Sequence, residues 1–128
     1  MTTWSDAQSH MRGKYRLIHD EPHAIGMMWS YNDGRTQKIV VRHYQSDGRA
    51  MVEFKSPFAR QGDADPSLLL RENSRLPFGA VALSGDVYLV VENALLDDMP
   101  LSDFEFLVGR IAAAADHLER QYADGDTF

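Results

Sequence analysis

The sequence predicts an α+β fold: an antiparallel sheet with helices in the order α-β-β-β-β-α-β-β-α, and a long C-terminal helix packed on the sheet. Three observations carry this prediction. Positive-φ turn residues, Asn32-Asp33-Gly34 and Ser46-Asp47-Gly48, separate short alternating segments, as in an antiparallel meander. Asp65-Pro66 has the chemistry of a helix start, since Asp caps free N–H groups and Pro sits where its missing N–H costs nothing. Residues 104–122 place Phe104, Leu107, Val108, Ile111, Ala115, Leu118 and Tyr122 at helical spacing on one stripe.

The elements follow in order. A short helix is expected over 3–12, with Ser5 and Gln8 as a capping box, Trp4, Ala7 and Met11 on one face and Gly13 as its stop. Four strands come next, at about 15–19, 24–31, 36–44 and 49–56. In the second, Ile25, Met27, Trp29 and Tyr31 alternate onto one face. Pro57 is expected to end the fourth strand and leave 58–64 as a loop. A short helix over 66–73 carries Leu68, Leu69 and Leu70. A hairpin, 79–83 with 87–92, turns at Ser84-Gly85-Asp86. Its second strand is apolar on both faces and belongs inside the sheet. The last helix starts after Pro100 with a capping box of Ser102 and Glu105, and Asp124-Gly125-Asp126 ends it in a frayed tail.

At 128 residues, 44% apolar and 25% charged, the chain is the size of one domain (1–128) with enough core to fold unaided. It has no cysteine, so disulfides, thiolate metal sites and a cysteine nucleophile are excluded. No segment approaches the ~20 apolar residues of a membrane helix. The polar start MTTWSDAQSHMRGK lacks the apolar middle of a secretion signal. A cytoplasmic, unprocessed protein with no membrane contact is expected. The net charge of −6 sits in the last quarter of the chain: residues 1–96 hold 11 acidic and 11 basic side chains, residues 97–128 hold 8 and 2. Nucleic-acid binding needs a basic surplus, so no nucleic-acid partner is expected.

The element order and the phrasing of residues 68–122 resemble the type III secretion chaperone-like family, which includes Tir-type chaperones and YbjN-like proteins. The resemblance lies in LLLRENSRLPFG, in the hairpin AVALSGDVYLVVENALL, and in the closing helix LSDFEFLVGRIAAAADHLERQY. Residues 1–67 agree in element order only. The resemblance implies a secretion-chaperone-like fold and a non-enzymatic cytosolic protein, often a homodimer, that holds a partner protein.

The residues themselves show no catalytic apparatus. His19-Asp20-Glu21-Pro22-His23 gathers four metal-ligand types, but Pro22 and the flanking strands make it a turn, where His at i and i+4 share no helical face. His10, His43 and His117 lack a companion at useful spacing. Asp97-Asp98 and Asp103 with Glu105 favour the positive end of the last helix rather than acid–base work. Neither G-x-S-x-G nor a phosphate-binding glycine loop occurs. No metal and no cofactor are expected, and the chain is read as not an enzyme.

Apolar residues on both faces of several strands carry the functional reading. Met28, Val40, Tyr44, Met51 and Val90 oppose the core-facing set, and Phe58 falls in the expected loop. These six are the candidate protein-binding residues, because Met and aromatic side chains suit adaptable contacts. The plainer alternatives are that the end helices cover both faces or that a dimer does. Two further functions stay open: a small-ligand binder or small enzyme with a pocket near 57–65, and an inhibitor or immunity-type protein presenting its acidic helix.

Overall fold

The computed structural model describes residues 1–123 and 128. Its element order is the expected one: α1 (Trp4–Lys14), β1 (His19–Glu21), β2 (Ala24–Ser30), β3 (Thr36–Ser46), β4 (Arg49–Arg60), α2 (Pro66–Glu72), β5 (Ala80–Ser84), β6 (Val87–Leu95) and α3 (Leu101–Tyr122). The strands form one antiparallel sheet in the order β1-β2-β3-β4-β6-β5. The first four are a meander, and β6 lies inside the sheet as its two apolar faces require. Asp47 and Gly48, at φ 52° and 75°, make the β3–β4 turn, whose two positive-φ residues match the twist of a hairpin.

One face of the sheet is the core. Ile25 and Met27 of β2, Ile39 and Val41 of β3, Val52 and Phe54 of β4, and Tyr88 and Val90 of β6 alternate onto it. Phe104, Val108, Ile111, Ala115 and Leu118 of α3 pack across that face, with Leu107 and Tyr122 at the margins. α1 lies beside α3, burying Trp4, Ala7 and Met11, and α2 flanks the edge strand β5 through Leu69. Gly79, at φ +83°, allows the close packing of β6 on α3, since a Cβ there would sit 2.7 Å from Val90 Cγ1 and 2.9 Å from Ile111 Cδ1.

Several boundaries differ from expectation. The α1 cap is Thr3 with Asp6, a reciprocal capping box two residues earlier than Ser5 and Gln8. Gly13 does not stop the helix; it runs on to Lys14, and Tyr15 N–H still reaches Met11 C=O. Strand β1 starts at His19 because Tyr15 is taken by α3. α3 has Pro100 at its N-cap and no side-chain cap, since Glu105 turns away to α1. The expected tail at Asp124-Gly125-Asp126 lies outside the described residues.

The largest correction concerns Pro57. Strand β4 continues through it to Arg60, so 58–60 is strand and Phe58 is a core residue at 0% exposure. Strand β3 pairs with β4 only from Val40↔Lys55 onward, whereas β4 stays paired with β6, with a register shift between Pro57 and Ala59. The Pro57 C=O accepts from Gln37 Nε2 and so faces β3. In a strand the N side of a residue faces the same way as its C=O, so the N–H that proline lacks is one β3 would not have paired.

Replacing Ile111 with Ala removes a fully buried side chain and is expected to cost ~2–5 kcal/mol. Leu107 is only partly buried against the core, and Leu107→Ala should cost about 1 kcal/mol. Urea unfolding of both variants checks this; equal losses would show that Leu107 is as deeply packed as Ile111.

Candidate functional site

All three helices sit on the core face, which leaves the opposite face of the sheet open among the described residues. Cross-strand register arranges that face in rows. Tyr44, Met51 and Leu95 stand side by side across β3, β4 and β6. Next come Arg42, Glu53 and Asn93, then Val40, Lys55, Val91 and Ala80. Met28 lies farther along, beside Lys38. Met28 and Leu95 are 40% and 45% exposed, values more typical of a contact surface than of a core.

The polar groups of this face are held in place by their neighbours. The Arg42 guanidinium lies 4.3 Å from the Tyr44 ring centroid, and the Tyr44 hydroxyl donates to Asn93 Oδ1 at 2.6 Å. Glu53 meets Arg42 at 3.3 Å and Lys55 at 3.6 Å. With Lys38, Arg42 and Lys55 set against Glu53, the open face of this acidic protein is basic.

Four of the six sequence candidates therefore belong to the open face, of which Tyr44 and Met51 are direct neighbours and Met28 is remote. The other two are corrected. Val90 faces inward at 0% exposure, because alternation in β6 sends Tyr88 and Val90 to the core and Leu89 and Val91 outward. Phe58 stacks on Tyr88, ring centroids 6.2 Å apart. For Val90 the strand was read correctly and its side was not; for Phe58 the expected loop is strand.

A second apolar surface runs along the flank of α3. A cleft of about 660 Å³ is lined by Tyr15, Trp29, Tyr31, Glu105, Phe106 and Arg110, with Gly109 on its floor. Phe106 separates it from a depression of about 450 Å³ that includes Phe78, Leu95 and Met99. Phe106 is 51% exposed and meets Phe78 edge to face at 5.4 Å. A Cβ on Gly109 would lie 3.3 Å from the Trp29 indole, so the glycine lets the helix rest on that ring. Sequence reasoning missed Phe106. Its signal was an aromatic residue outside the apolar stripe of an amphipathic helix.

Glu105 anchors this cleft. It receives Lys14 Nζ and His10 Nε2, each at 2.8 Å, and the Tyr15 hydroxyl. Lys14 first, then Tyr15 and His10, pull its carboxyl down to about 2. Burial and Glu105 push the Tyr15 phenol up to about 12. At the other end of α3, the buried Asp116 accepts from Arg35 Nε and Arg120 Nε, both at 2.9 Å, which ties the β2–β3 turn to the helix. The expected histidine turn is present at Pro22-His23, where it closes the β1–β2 hairpin, while His19–Glu21 are strand; Asp20 is taken by Arg12 at 2.7 Å and by Gln8. His43 stacks on Trp4, centroids 5.4 Å apart, and burial followed by His23 holds its pKa below the ordinary range. Among the described residues no group of three or more metal-ligand side chains comes together, and no helix is long and apolar enough to cross a membrane. Near 57–65 the structure has a depression of about 230 Å³ lined mainly by Leu69, Leu70, Val81 and Leu83. That lining is apolar and offers no acid–base pair.

No family model matches the chain, and no curated protein matches it in sequence. The fold does match solved structures, and it is secretion-chaperone-like. A chain of the ExsC–ExsE complex superposes with a TM-score of 0.67 at 9% identity, covering 98% of this chain and 99% of that one. A chain of the HopA1–SchA chaperone–effector complex gives a TM-score of 0.56 at 12% identity, covering 94% and 90%. The likeness is one of architecture, since the identity is too low to carry individual residues.

Glu105 provides a pH test. Its carboxyl pKa is depressed in the fold from the ordinary 4.5, so its stabilisation is present above that value and is lost as pH falls toward 2. Urea midpoints measured from pH 6 to 2 should fall more steeply for the wild type than for Glu105→Gln. Parallel curves would show that the carboxylate does not tether α1.

Proposed function

We propose that this chain is a non-enzymatic, chaperone-like protein-binding module, acting as a single cytosolic domain that holds a segment of another protein. The observation that carries the reading is the open sheet face, with apolar residues and basic side chains set among one another. The fold likeness supports it, because both neighbouring structures are complexes between two proteins, one of them a chaperone with its effector. The face suits an apolar segment flanked by acidic residues, since Lys38, Arg42 and Lys55 supply complementary charge. Met28, Val40, Tyr44 and Met51 are the proposed contacts.

A homodimer is the second part of the reading. Leu68, Leu70 and Leu83 are 44%, 64% and 46% exposed on α2 and the edge strand β5. Asn73 Oδ1 accepts from Val81 N–H on that edge, and the exposed leucines beside the edge strand form a surface that a second copy can cover.

Affinity capture with the wild type, against a folded Met28→Asp/Met51→Asp control, tests the first part. One protein retained in stoichiometric amount and lost in the control is the expected result; a partner retained equally by both forms would remove the open face from the proposal. Light scattering tests the second. A mass of about twice 14.5 kDa is expected for the wild type and a monomer for Leu70→Asp. A monomeric wild type would end the dimer reading.

A further inference from the structure

The parting of β3 from β4 creates a gap in the middle of an otherwise continuous sheet. Beyond Val40↔Lys55, among the strands of the sheet residues 36–39 pair with β2 and residues 56–60 with β6, but not with each other. Backbone groups that a ladder would use therefore face the gap, and each needs another partner. Lys38 C=O accepts from the Ser56 hydroxyl. Pro57 C=O accepts from Gln37 Nε2, and Pro57 has no N–H to satisfy. Lys38 N–H finds no side chain. It donates instead to the C=O of Phe128, at 3.0 Å.

Phe128 is held there on three sides. Its own N–H donates to Glu119 Oε2 at 2.9 Å, and Glu119 is fully buried on α3 beneath the gap. Its ring lies 5.6 Å from the Arg60 guanidinium. A single residue thus presents a C=O to a strand edge, an N–H to a buried carboxylate and an aromatic face to a cation. Gln37 is fully buried, and its Oε1 has no hydrogen-bond partner, so the site still contains an unused acceptor.

We propose that the β3–β4 gap is a peptide-accepting slot for an extended protein segment bearing an aromatic residue, and that Phe128 of the chain itself occupies it. The partner's aromatic residue takes the position of Phe128: its C=O accepts from Lys38 N–H, its N–H meets Glu119, and its ring lies near Arg60. A neighbouring donor on the partner satisfies Gln37 Oε1, which Phe128 does not. The slot is built from the backbone edges of β3 and β4 over α3 rather than from the side chains of the open face, so it goes beyond the reading above and can stand or fall separately. A tethered occupant competes at an effective concentration on the order of mM, so Phe128 sets a threshold that weak or sparse partners do not pass.

The test uses chains of residues 1–128. Phe128→Pro removes the N–H that Glu119 accepts and the ring together, and Phe128→Ala removes the ring alone. Amide hydrogen exchange at Lys38 should rise roughly tenfold or more in Phe128→Pro while core amides in β6 stay protected. A fluorescent peptide of residues 121–128 should bind Phe128→Pro at least roughly tenfold more tightly than the wild type by anisotropy, because the tethered competitor is gone. The same peptide with Ala for its phenylalanine should not bind. If Phe128→Pro fails to fold, Phe128→Ala decides by the same two readouts. Unchanged Lys38 exchange, or peptide binding that is absent or equal in wild type and variant, overturns the proposal.

Discussion

The apolar stripe of α3 has one place to go, the inner face of β3, β4 and β6, and the rest of the molecule is arranged around that contact. Phe104, Val108, Ile111, Ala115 and Leu118 are removed from water together with Val41, Val52, Phe54 and Val90. At about 1.5–3 kcal/mol for each large apolar side chain, this is the dominant favourable term in the fold. α1 and α2 then pack on the same side, at the margins of the helix–sheet layer. A two-layer structure covers only one face of its sheet. The exposed row of Tyr44, Met51 and Leu95 is a direct consequence of placing all three helices together.

Ion pairs fix the ends of that contact. Glu105 gathers Lys14, His10 and Tyr15 from α1 and the segment after it, while Asp116 gathers Arg35 and Arg120 at the far end. Buried or half-buried charges are costly unless paired, so such clusters favour one orientation of the helix over its sheet. With the buried Glu119, they take up three of the four carboxylates of α3, Asp103 being the other. Those carboxylates are internal anchors more than a solvated acidic surface, which weakens an inhibitor that presents its acidic helix. The basic open face points the same way.

The flank of α3 gives the molecule a second apolar surface, through Phe106, Phe78 and Trp29. The gap at Pro57 gives it a third kind of surface, one of backbone groups. Neither resembles a catalytic centre. The shifted groups, Glu105 and Tyr15, are explained by each other and by Lys14 and His10, and so serve the packing of α1.

Local chemistry written into the sequence was enough for the element order, the turns at Gly34 and Asp47-Gly48, the Asp65-Pro66 cap and the α3 stripe, because each depends on residues within a few positions of one another. Alternation also marked which strands are apolar on both sides. Tertiary structure decided which side is the core: Val90 and Val91 are equally apolar, and only the position of α3 sends one inward. It decided that Pro57 stays within a strand, since the missing N–H is harmless only because β3 has parted from β4. It also drew Glu105 away from the helix cap, because three donors of α1 and its following turn outcompete a local backbone amide. Such choices rest on partners brought together from distant positions, and no local pattern contains them.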